Sequence, residues 1–251
     1  MEKANVTLVD NPSLGDWIRD SLHPWELSLA ADSYQIGIVI PGGFDRYVLV
    51  RHTGPRDMQG CLGDETLKSL INLLSPFTKT PDDCLFALWE GQGWMHSGSI
   101  AALGVSEGRF IYGKNTGFLS NWRSWRNMRK MSKNAHSIKQ SLDHLESHSL
   151  PDGIMESGRL SLPNRNYLLM NGPITEASNL GYQFSNFPSM QSPNLMWPRD
   201  QAWVLASEID FDVTLIGGSS DLVDAILQIP HLVTEEFNWS DSVAQLRVLD
   251  R

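Results

Sequence analysis

Apolar residues spaced three and four positions apart predict three amphipathic helices. The first is short and covers residues 13–22. The second covers residues 64–74, with Asp64 as its expected N-cap and Pro76 as its stop. The third is the longest and spans residues 122–147, where the apolar positions keep this spacing almost throughout.

Short apolar runs that are rich in β-branched and aromatic residues predict the strands. Residues 34–40 and 44–51 flank a Pro-Gly-Gly turn, which favours a hairpin. Residues 84–89 (CLFALW) form a continuous apolar run that is typical of a buried strand. Residues 203–216 predict one long strand or two consecutive strands, followed by a helix from about residue 221.

The region from residue 158 to residue 198 alternates short apolar runs with turn-forming residues. The runs at residues 160–162 and 166–170 are separated by Pro163 and Asn164, which predicts a hairpin. A short helix is expected after Pro173, because proline suits the first helical turn. The Ser-, Asn- and Pro-rich residues 181–198 are expected to form an ordered loop.

These elements predict an α+β fold, with a mixed or antiparallel sheet and helices packed on one side. The expected strands lie near residues 36, 46, 84, 165 and 203. The length of 251 residues and the apolar fraction of 41% suit a single domain over residues 1–251. Residues 98–157, which contain the long helix, are expected to be a helical insertion or a divergent region.

The net charge indicates which kinds of partner the protein could bind, and the cysteines indicate the cellular compartment in which it is expected. A formal net charge of −9 argues against nucleic-acid binding by the whole surface and suits a basic protein partner. Cys61 and Cys84 form no CxxC motif, so reduced thiols are expected. The first residues lack the pattern of a secretory signal, and no window approaches the apolar length of a membrane helix. We therefore expect a cytoplasmic protein outside the membrane, while its oligomeric state stays open.

Three carboxylates alternate along the predicted strand, at Glu208, Asp210 and Asp212. A period of two would place all three on one face of the sheet, where they repel one another. Water, arginine partners such as Arg165 or Arg199, or a hard divalent cation such as Mg²⁺ or Ca²⁺ would relieve this repulsion. A solvated or arginine-paired face is the plainer interpretation, with no cofactor. A metal or acid/base site is the alternative.

Two glycines and two serines precede the last predicted helix, at Gly217, Gly218, Ser219 and Ser220. Free backbone N–H groups and the helix dipole favour anions at such a position, so this turn is a candidate anion-binding site. The lysine of a P-loop and the GxGxxG spacing are both absent. This absence favours a plain serine N-cap.

One histidine and two tryptophans are further candidates. His52 follows a predicted strand and could act as a general base, although a lone histidine at a strand end is typically structural. Trp94 and Trp197 stand beside glycine or proline in predicted loops, which makes them candidates for lining a pocket or an interface. Trp89 and Trp203 lie in predicted strands and are expected in the core.

Basic residues recur on one side of the long predicted helix, at Arg123, Arg126, Lys130 and Lys133. Tryptophans lie nearby, and no acidic residue occurs between positions 121 and 140. Such a stripe could meet nucleic acid, an acidic partner or a membrane surface. Pairing with the protein's own acidic residues, or with water, is the plainer interpretation.

Several strings of this sequence resemble a family of uncharacterised, mostly actinobacterial proteins. They are IPGGFDRYVLVRHTGP (40–55), TPDDCLFALWEGQGW (80–94), LPNRNYLLMNGP (162–173) and SPNLMWPRDQAWVLASEIDFDVTLIGGSSDLVDAIL (192–227). The resemblance covers about residues 36–95 and 159–243. The family commonly has a histidine-proline pair where this chain has His52 and Thr53. The resemblance implies a bacterial source, but it carries no activity to transfer.

No GxSxG, HExxH or CxxC motif occurs in the chain, so no nucleophilic or zinc enzyme is indicated. The acidity and the many aromatics favour a binding protein that acts through protein contacts, in toxin neutralisation or regulation. The alternative is a small-molecule or metal-binding enzyme that uses the three carboxylates together with the Gly-Gly-Ser-Ser turn. A third hypothesis is nucleic-acid binding through residues 123–133, which the net charge disfavours.

Overall fold

The computed structural model describes residues 2–24, 34–54, 60–91, 105–106, 109–110, 145–154, 156–163, 165–184 and 187–246. In chain order the strands within these residues are β1 (Thr7–Leu8), β2 (Arg46–Arg51), β3 (Cys84–Trp89), β4 (Val105–Ser106), β5 (Arg109–Phe110), β6 (Leu145–His148), β7 (Arg159–Leu162), β8 (Arg165–Gly172), β9 (Gly181–Phe184), β10 (Phe187–Met190), β11 (Leu195–Pro198), β12 (Val204–Ser207), β13 (Val213–Gly218) and β14 (Thr234–Phe237).

Nine strands form one antiparallel sheet in the order β1, β8, β3, β11, β12, β13, β2 and β14, with β7 also paired to β8. Strands β10, β9 and β6 form a smaller sheet, and β4 pairs with β5. The α-helices are α1 (Asp16–Asp20), α2 (Asp64–Leu74) and α3 (Ser220–Leu227). Short 3-10 helices cover Pro12–Gly15, Ile36–Ile38, Ser75–Phe77, Ile174–Asn179 and Val243–Leu246.

Both faces of the large sheet are buried. On one face, α2 and α3 pack against side chains that include Val48, Phe86, Met170 and Ile216. The other face carries Leu49, Ala87, Leu169 and Leu215, covered by shorter elements that include α1 and the two 3-10 helices at residues 36–38 and 243–246. Each fully buried leucine, isoleucine or phenylalanine contributes roughly 1.5–3 kcal/mol through removal of apolar surface from water. The predicted α+β class is confirmed, with an antiparallel sheet and the two longer helices on one side.

Elements with a strong local pattern lie where the sequence predicted them. Strand β3 has the predicted bounds, β7 and β8 form the predicted hairpin, and α2 covers the predicted residues 64–74. Gly63, rather than Asp64, is the N-cap of α2, and Asp64 is its first residue. Among the described residues, no helix combines the length and the apolar character that a bilayer crossing requires.

The predicted strand at residues 34–40 is wrong, because this segment forms a 3-10 helix at Ile36–Ile38. Its backbone bonds to the C-terminal part of the chain: the Gly37 N–H donates to Trp239 O at 3.0 Å. Gly37 leaves room for this approach, since a Cβ atom there would lie 2.5 Å from the Trp239 ring. A contact between distant parts of the chain therefore overrides the local β pattern.

Two further predictions for single segments are corrected. The expected loop at residues 181–198 contains β9, β10 and β11, because its apolar residues form strands between the polar ones. Strand β11 lies between β3 and β12 in the large sheet. The end of the predicted long helix is also wrong, since Leu145–His148 is a strand that pairs with β9. Residues 122–144 of that helix lie outside the described residues.

Candidate functional site

The three predicted carboxylates lie on a turn rather than along one strand. Strand β12 ends at Ser207 and β13 begins at Val213, so residues 208–212 connect the two antiparallel strands. The Phe211 N–H donates to the Glu208 carbonyl at 3.1 Å, which closes a β-turn. The expectation that alternating residues share a strand face is therefore wrong here. We call residues 208–212 the acidic turn.

The acidic turn is held from two sides by backbone hydrogen bonds. The Gly60 N–H donates to Phe211 O at 3.1 Å, and the His52 N–H donates to Asp212 O at 2.9 Å. Gly60 has a φ angle of +70°, and a Cβ atom there would lie 2.6 Å from the Cα atom of Ile209. Only glycine fits this close approach without strain. Ile209 is itself buried, so the turn is anchored in the fold.

Arg165, the first residue of β8, pairs with two of the three carboxylates. Its Nη1 atom lies 2.5 Å from Glu208 Oε1, and its Nη2 atom donates to Asp210 Oδ2 at 2.8 Å. The first contact is an ion pair and not a hydrogen bond. The guanidinium carbon also lies 5.7 Å from the centroid of the Trp89 ring, within cation–π range. The sequence named Arg199 as the other partner, but Arg199 pairs with Asp83.

Burial separates the roles of the two paired carboxylates. The Glu208 side chain is 15% exposed, whereas that of Asp210 is 60% exposed. Burial raises the pKa of the Glu208 carboxyl to about 7; Arg165 opposes this rise and Asp210 adds to it. Burial and the charge of Glu208 also raise the pKa of the nearby Tyr167 hydroxyl. Glu208 is thus the internal member of the cluster, and Asp210 faces the solvent.

Asp212 is exposed and completes the negative charge of the turn. With all groups ionised, the turn carries three carboxylates, and Arg165 pairs with two of them, so the turn and Arg165 together carry a net negative charge. Among the described residues, no three acidic, histidine or cysteine side chains are grouped closely enough to hold a metal ion.

His52 lies at the end of β2 and begins a row of polar side chains across the sheet. Its Nε2 atom is 2.8 Å from Thr214 Oγ1, which is 2.6 Å from Ser207 Oγ. Thr214 and Ser207 are 0% and 2% exposed, so this row is internal. His52 is therefore part of the support of the acidic turn, and the hydroxyl groups that it reaches do not face the solvent.

Asn194, which was not predicted as a site residue, is 2% exposed and joins three segments behind the turn. Its Oδ1 atom accepts a hydrogen bond from the Trp89 N–H at 2.9 Å, and its Nδ2 atom donates to Ser207 O at 3.2 Å. The only local signal was the pair Pro193-Asn194, which is typical of any loop. Asn194 thus holds the end of β3 at Trp89 in a fixed position relative to the end of β12 at Ser207, where the acidic turn begins.

The Gly-Gly-Ser-Ser turn lies at the opposite end of β13 from the carboxylates. Gly217 and Gly218 end this strand, and the Ser219 side chain caps α3 by accepting a hydrogen bond from the Leu222 N–H at 3.3 Å. A Cβ atom on Gly218 would lie 2.5 Å from the Leu222 side chain, so tight packing explains this glycine. Ser220 is the first residue of the helix. The structure does not bring the two candidate sites together.

The other candidates do not join the acidic turn. Trp197 lies in β11, is 1% exposed and packs edge to face with Trp17 at 6.2 Å, so the predicted pocket role is wrong and the residue belongs to the core. Trp94 lies outside the described residues. The same holds for the basic stripe of Arg123, Arg126, Lys130 and Lys133.

No protein-family model, no curated protein and no solved structure matches the chain. The resemblance to uncharacterised bacterial proteins therefore stays a prediction, and the geometry of the acidic turn supplies the functional information.

Proposed function

We propose that this chain is a binding protein and that the acidic turn is its surface for a basic protein partner. The proposal rests on the different exposure of the acidic side chains of the turn: Glu208 is internal, whereas Asp210 and Asp212 face the solvent. Glu208 pairs with Arg165, which also donates to Asp210, while the Asp210 and Asp212 side chains are exposed with the half-buried Phe211 between them. Two exposed carboxylates beside a half-buried ring that packs on the core suit a partner that offers lysine or arginine.

The backbone hydrogen bonds that hold the acidic turn in place favour binding of a partner. Its backbone is bonded to the segments at Gly60 and His52, so little conformational entropy remains to be lost when a partner binds. The net charge of −9 adds a long-range attraction for a basic partner, which raises the association rate. Exposed carboxylates on a rigid turn thus favour specific electrostatic docking.

The burial of Ser207 and of both cysteines favours binding over covalent catalysis. Ser207 and Cys61 are 2% and 5% exposed, and Cys84, at the far end of β3, is 0% exposed. Burial raises the pKa of the Cys84 thiol to about 12, which keeps it protonated and unreactive at neutral pH.

We place this activity in the bacterial cytoplasm, with toxin neutralisation or regulation as its setting. The two cysteines are free thiols, which suits a reducing compartment. A small acidic protein that neutralises a basic toxin or nuclease by docking on it would use a surface of this kind.

Quantitative capture from the source cells tests the proposal. The wild-type chain, D210N/D212N and D45N/D82N are used as baits, and the bound proteins are measured by mass spectrometry. Asp45 and Asp82 are exposed and precede β2 and β3 at the other end of the sheet, so the control makes the same change in net charge. We expect a basic protein that the wild type and the control retain and that D210N/D212N loses. Equal retention by all three baits would contradict the assignment of the surface.

A second candidate function is a small-molecule or metal-binding enzyme in which Glu208 acts as an acid or base. The observation that favours it is the pKa of Glu208, about 7, beside a cation and an aromatic ring, since catalytic carboxyls are often tuned in this way. The Gly-Gly-Ser-Ser turn takes no part in it. A substrate screen and thermal-shift measurements with Mg²⁺ and Ca²⁺ test this function. Turnover that E208Q abolishes, or cation-dependent stabilisation that D210N abolishes, would replace the binding proposal.

A further inference from the structure

The pair of Glu208 and Arg165 connects two strands that are not neighbours. Arg165 belongs to β8 and Glu208 follows β12, and strands β3 and β11 lie between them. The guanidinium group crosses this gap above the Trp89 ring of β3. The ion pair therefore ties the acidic turn to the other half of the sheet.

Arg165 is shared by two carboxylates that differ in burial. Glu208 Oε1 contacts Nη1, and Asp210 Oδ2 accepts a hydrogen bond from Nη2. The contact with Asp210 has good hydrogen-bond geometry, whereas the contact with Glu208 does not. Loss of charge on Glu208 would remove one of the two attachments of Arg165 and leave the guanidinium group to Asp210.

We propose that protonation of Glu208 controls both the charge of the acidic turn and the position of Arg165. We call this protonation-dependent pair of Glu208 and Arg165 the latch. When Glu208 is ionised, Arg165 is held between the turn and Trp89. When Glu208 takes up a proton from solvent, it becomes neutral, and the guanidinium group pairs with Asp210 alone. The turn then carries one negative charge less.

The groups that face Glu208 come from the elements packed around it. Strand β8 provides Arg165, which favours the ionised carboxylate, and Tyr167, a neutral hydroxyl. The turn itself provides Asp210, which disfavours ionisation, and the backbone N–H groups of Ile209 and Asp210, which favour it. Burial outweighs these contributions and brings the pKa of Glu208 to about 7. The latch therefore operates close to neutral pH.

This regulation rests on the proposed function, because a change in surface charge matters only if the turn binds a partner. The latch itself is a property of the free protein. The acidic turn would therefore change its charge near neutral pH. Ordinary acidic surfaces titrate near pH 4 and keep a constant charge around neutrality. A basic partner would bind the turn more tightly above pH 7 than below it.

An NMR titration of the free chain, with ¹³C-labelled glutamate carboxyls and ¹⁵N-labelled tryptophan, tests the latch between pH 4 and 9. We expect one carboxyl, absent from E208Q, to titrate near pH 7, and the Trp89 indole signal to follow it. D210N, which changes an exposed residue, should move this midpoint to lower pH because one neighbouring negative charge is lost. A Glu208 midpoint at 4–5, or a midpoint that D210N leaves unchanged, would overturn the latch, whatever partner experiments show.

Discussion

Arg165 Nη1 and Glu208 Oε1 lie 2.5 Å apart, although β8, which contains Arg165, and β12, which precedes Glu208, are separated by two other strands. At roughly 4.8 Å per strand step, β8 and β12 are about 14 Å apart, so the ion pair spans the two intervening strands. The contact fixes the acidic turn against β8 and divides its carboxylates into one internal and two exposed groups.

Replacement of Arg165 by methionine should destabilise the fold, because it leaves the Glu208 carboxylate buried without its cation. We expect a loss of roughly 2–4 kcal/mol in the free energy of unfolding. Urea denaturation at pH 8 measures it. The double variant R165M/E208L should recover much of the loss, because both charges are then gone. Arg199→Ala, which breaks a more exposed pair with Asp83, should cost about 1 kcal/mol or less. Equal losses for Arg165 and Arg199 would show that the Glu208 pair is not internal.

The raised pKa of Glu208 predicts an unusual pH dependence of stability. Since the folded state keeps this proton up to about pH 7 and the unfolded state loses it near pH 4.5, the free energy of unfolding should fall between these values. The fall is roughly 3 kcal/mol, and this component of the curve should be flat above the window. Urea denaturation from pH 4.5 to 8 measures the slope, and E208Q should lose this component. An identical slope in wild type and E208Q would contradict the prediction.

Two aspartates at the other end of the sheet should act in the opposite direction and at lower pH. Burial alone would raise their pKa values, but hydrogen bonds from Arg199 and Asn171 lower the pKa of Asp83, and those from Lys79 N–H and Thr78 lower that of Asp200. Their stabilisation is present above the ordinary aspartate pKa and is lost as the pH falls below it. D200N should therefore be less stable than wild type at pH 6 and show a smaller acid-induced loss between pH 4 and 2. Parallel acid curves for the two proteins would contradict this.

Gly60 should be intolerant of any side chain, because its Cβ atom would meet the backbone of Ile209 at 2.6 Å. We expect Gly60→Ala to destabilise the chain by roughly 2–3 kcal/mol, through left-handed strain and a displaced turn. Gly43 is the matched control, because its φ angle is +100° and nothing lies within 4 Å of the position that a methyl group would take there. Gly43→Ala should cost only about 1 kcal/mol. Thermal denaturation of both variants measures the difference, and equal costs would contradict a tight contact between Gly60 and the turn.

The sequence predicted elements whose pattern is local. Strand β3, the β7–β8 hairpin and helix α2 each carry a continuous apolar run or a helical period between turn residues, and each lies where expected. Residues 34–40 and 181–198 were misassigned because their structure depends on distant partners, such as the contact of Gly37 with Trp239. Contacts between residues that are far apart in the chain cannot be predicted from the composition or the hydrophobic periodicity of a segment.

The candidate site was predicted in part. The sequence singled out the three carboxylates and named Arg165 as one possible partner, but it extended the strand period through residues 208–212, where the chain reverses. It could not show that Glu208 is internal while Asp210 and Asp212 are exposed, because that difference arises from strands far apart in the chain. The role of Asn194 was not predicted for the same reason, because its partners Trp89 and Ser207 lie in other strands.

Binding of a basic partner by the acidic turn is proposed to depend on Asp210 and Asp212. Isothermal titration of the captured partner with wild type, D210N/D212N and the control D45N/D82N, at pH 8 and two salt concentrations, tests it most directly. We predict that D210N/D212N weakens the affinity at least about tenfold at low salt, since each lost charge contact contributes about 1 kcal/mol, while the control binds like wild type. Equal dissociation constants for all three proteins would show that Asp210 and Asp212 do not bind the partner.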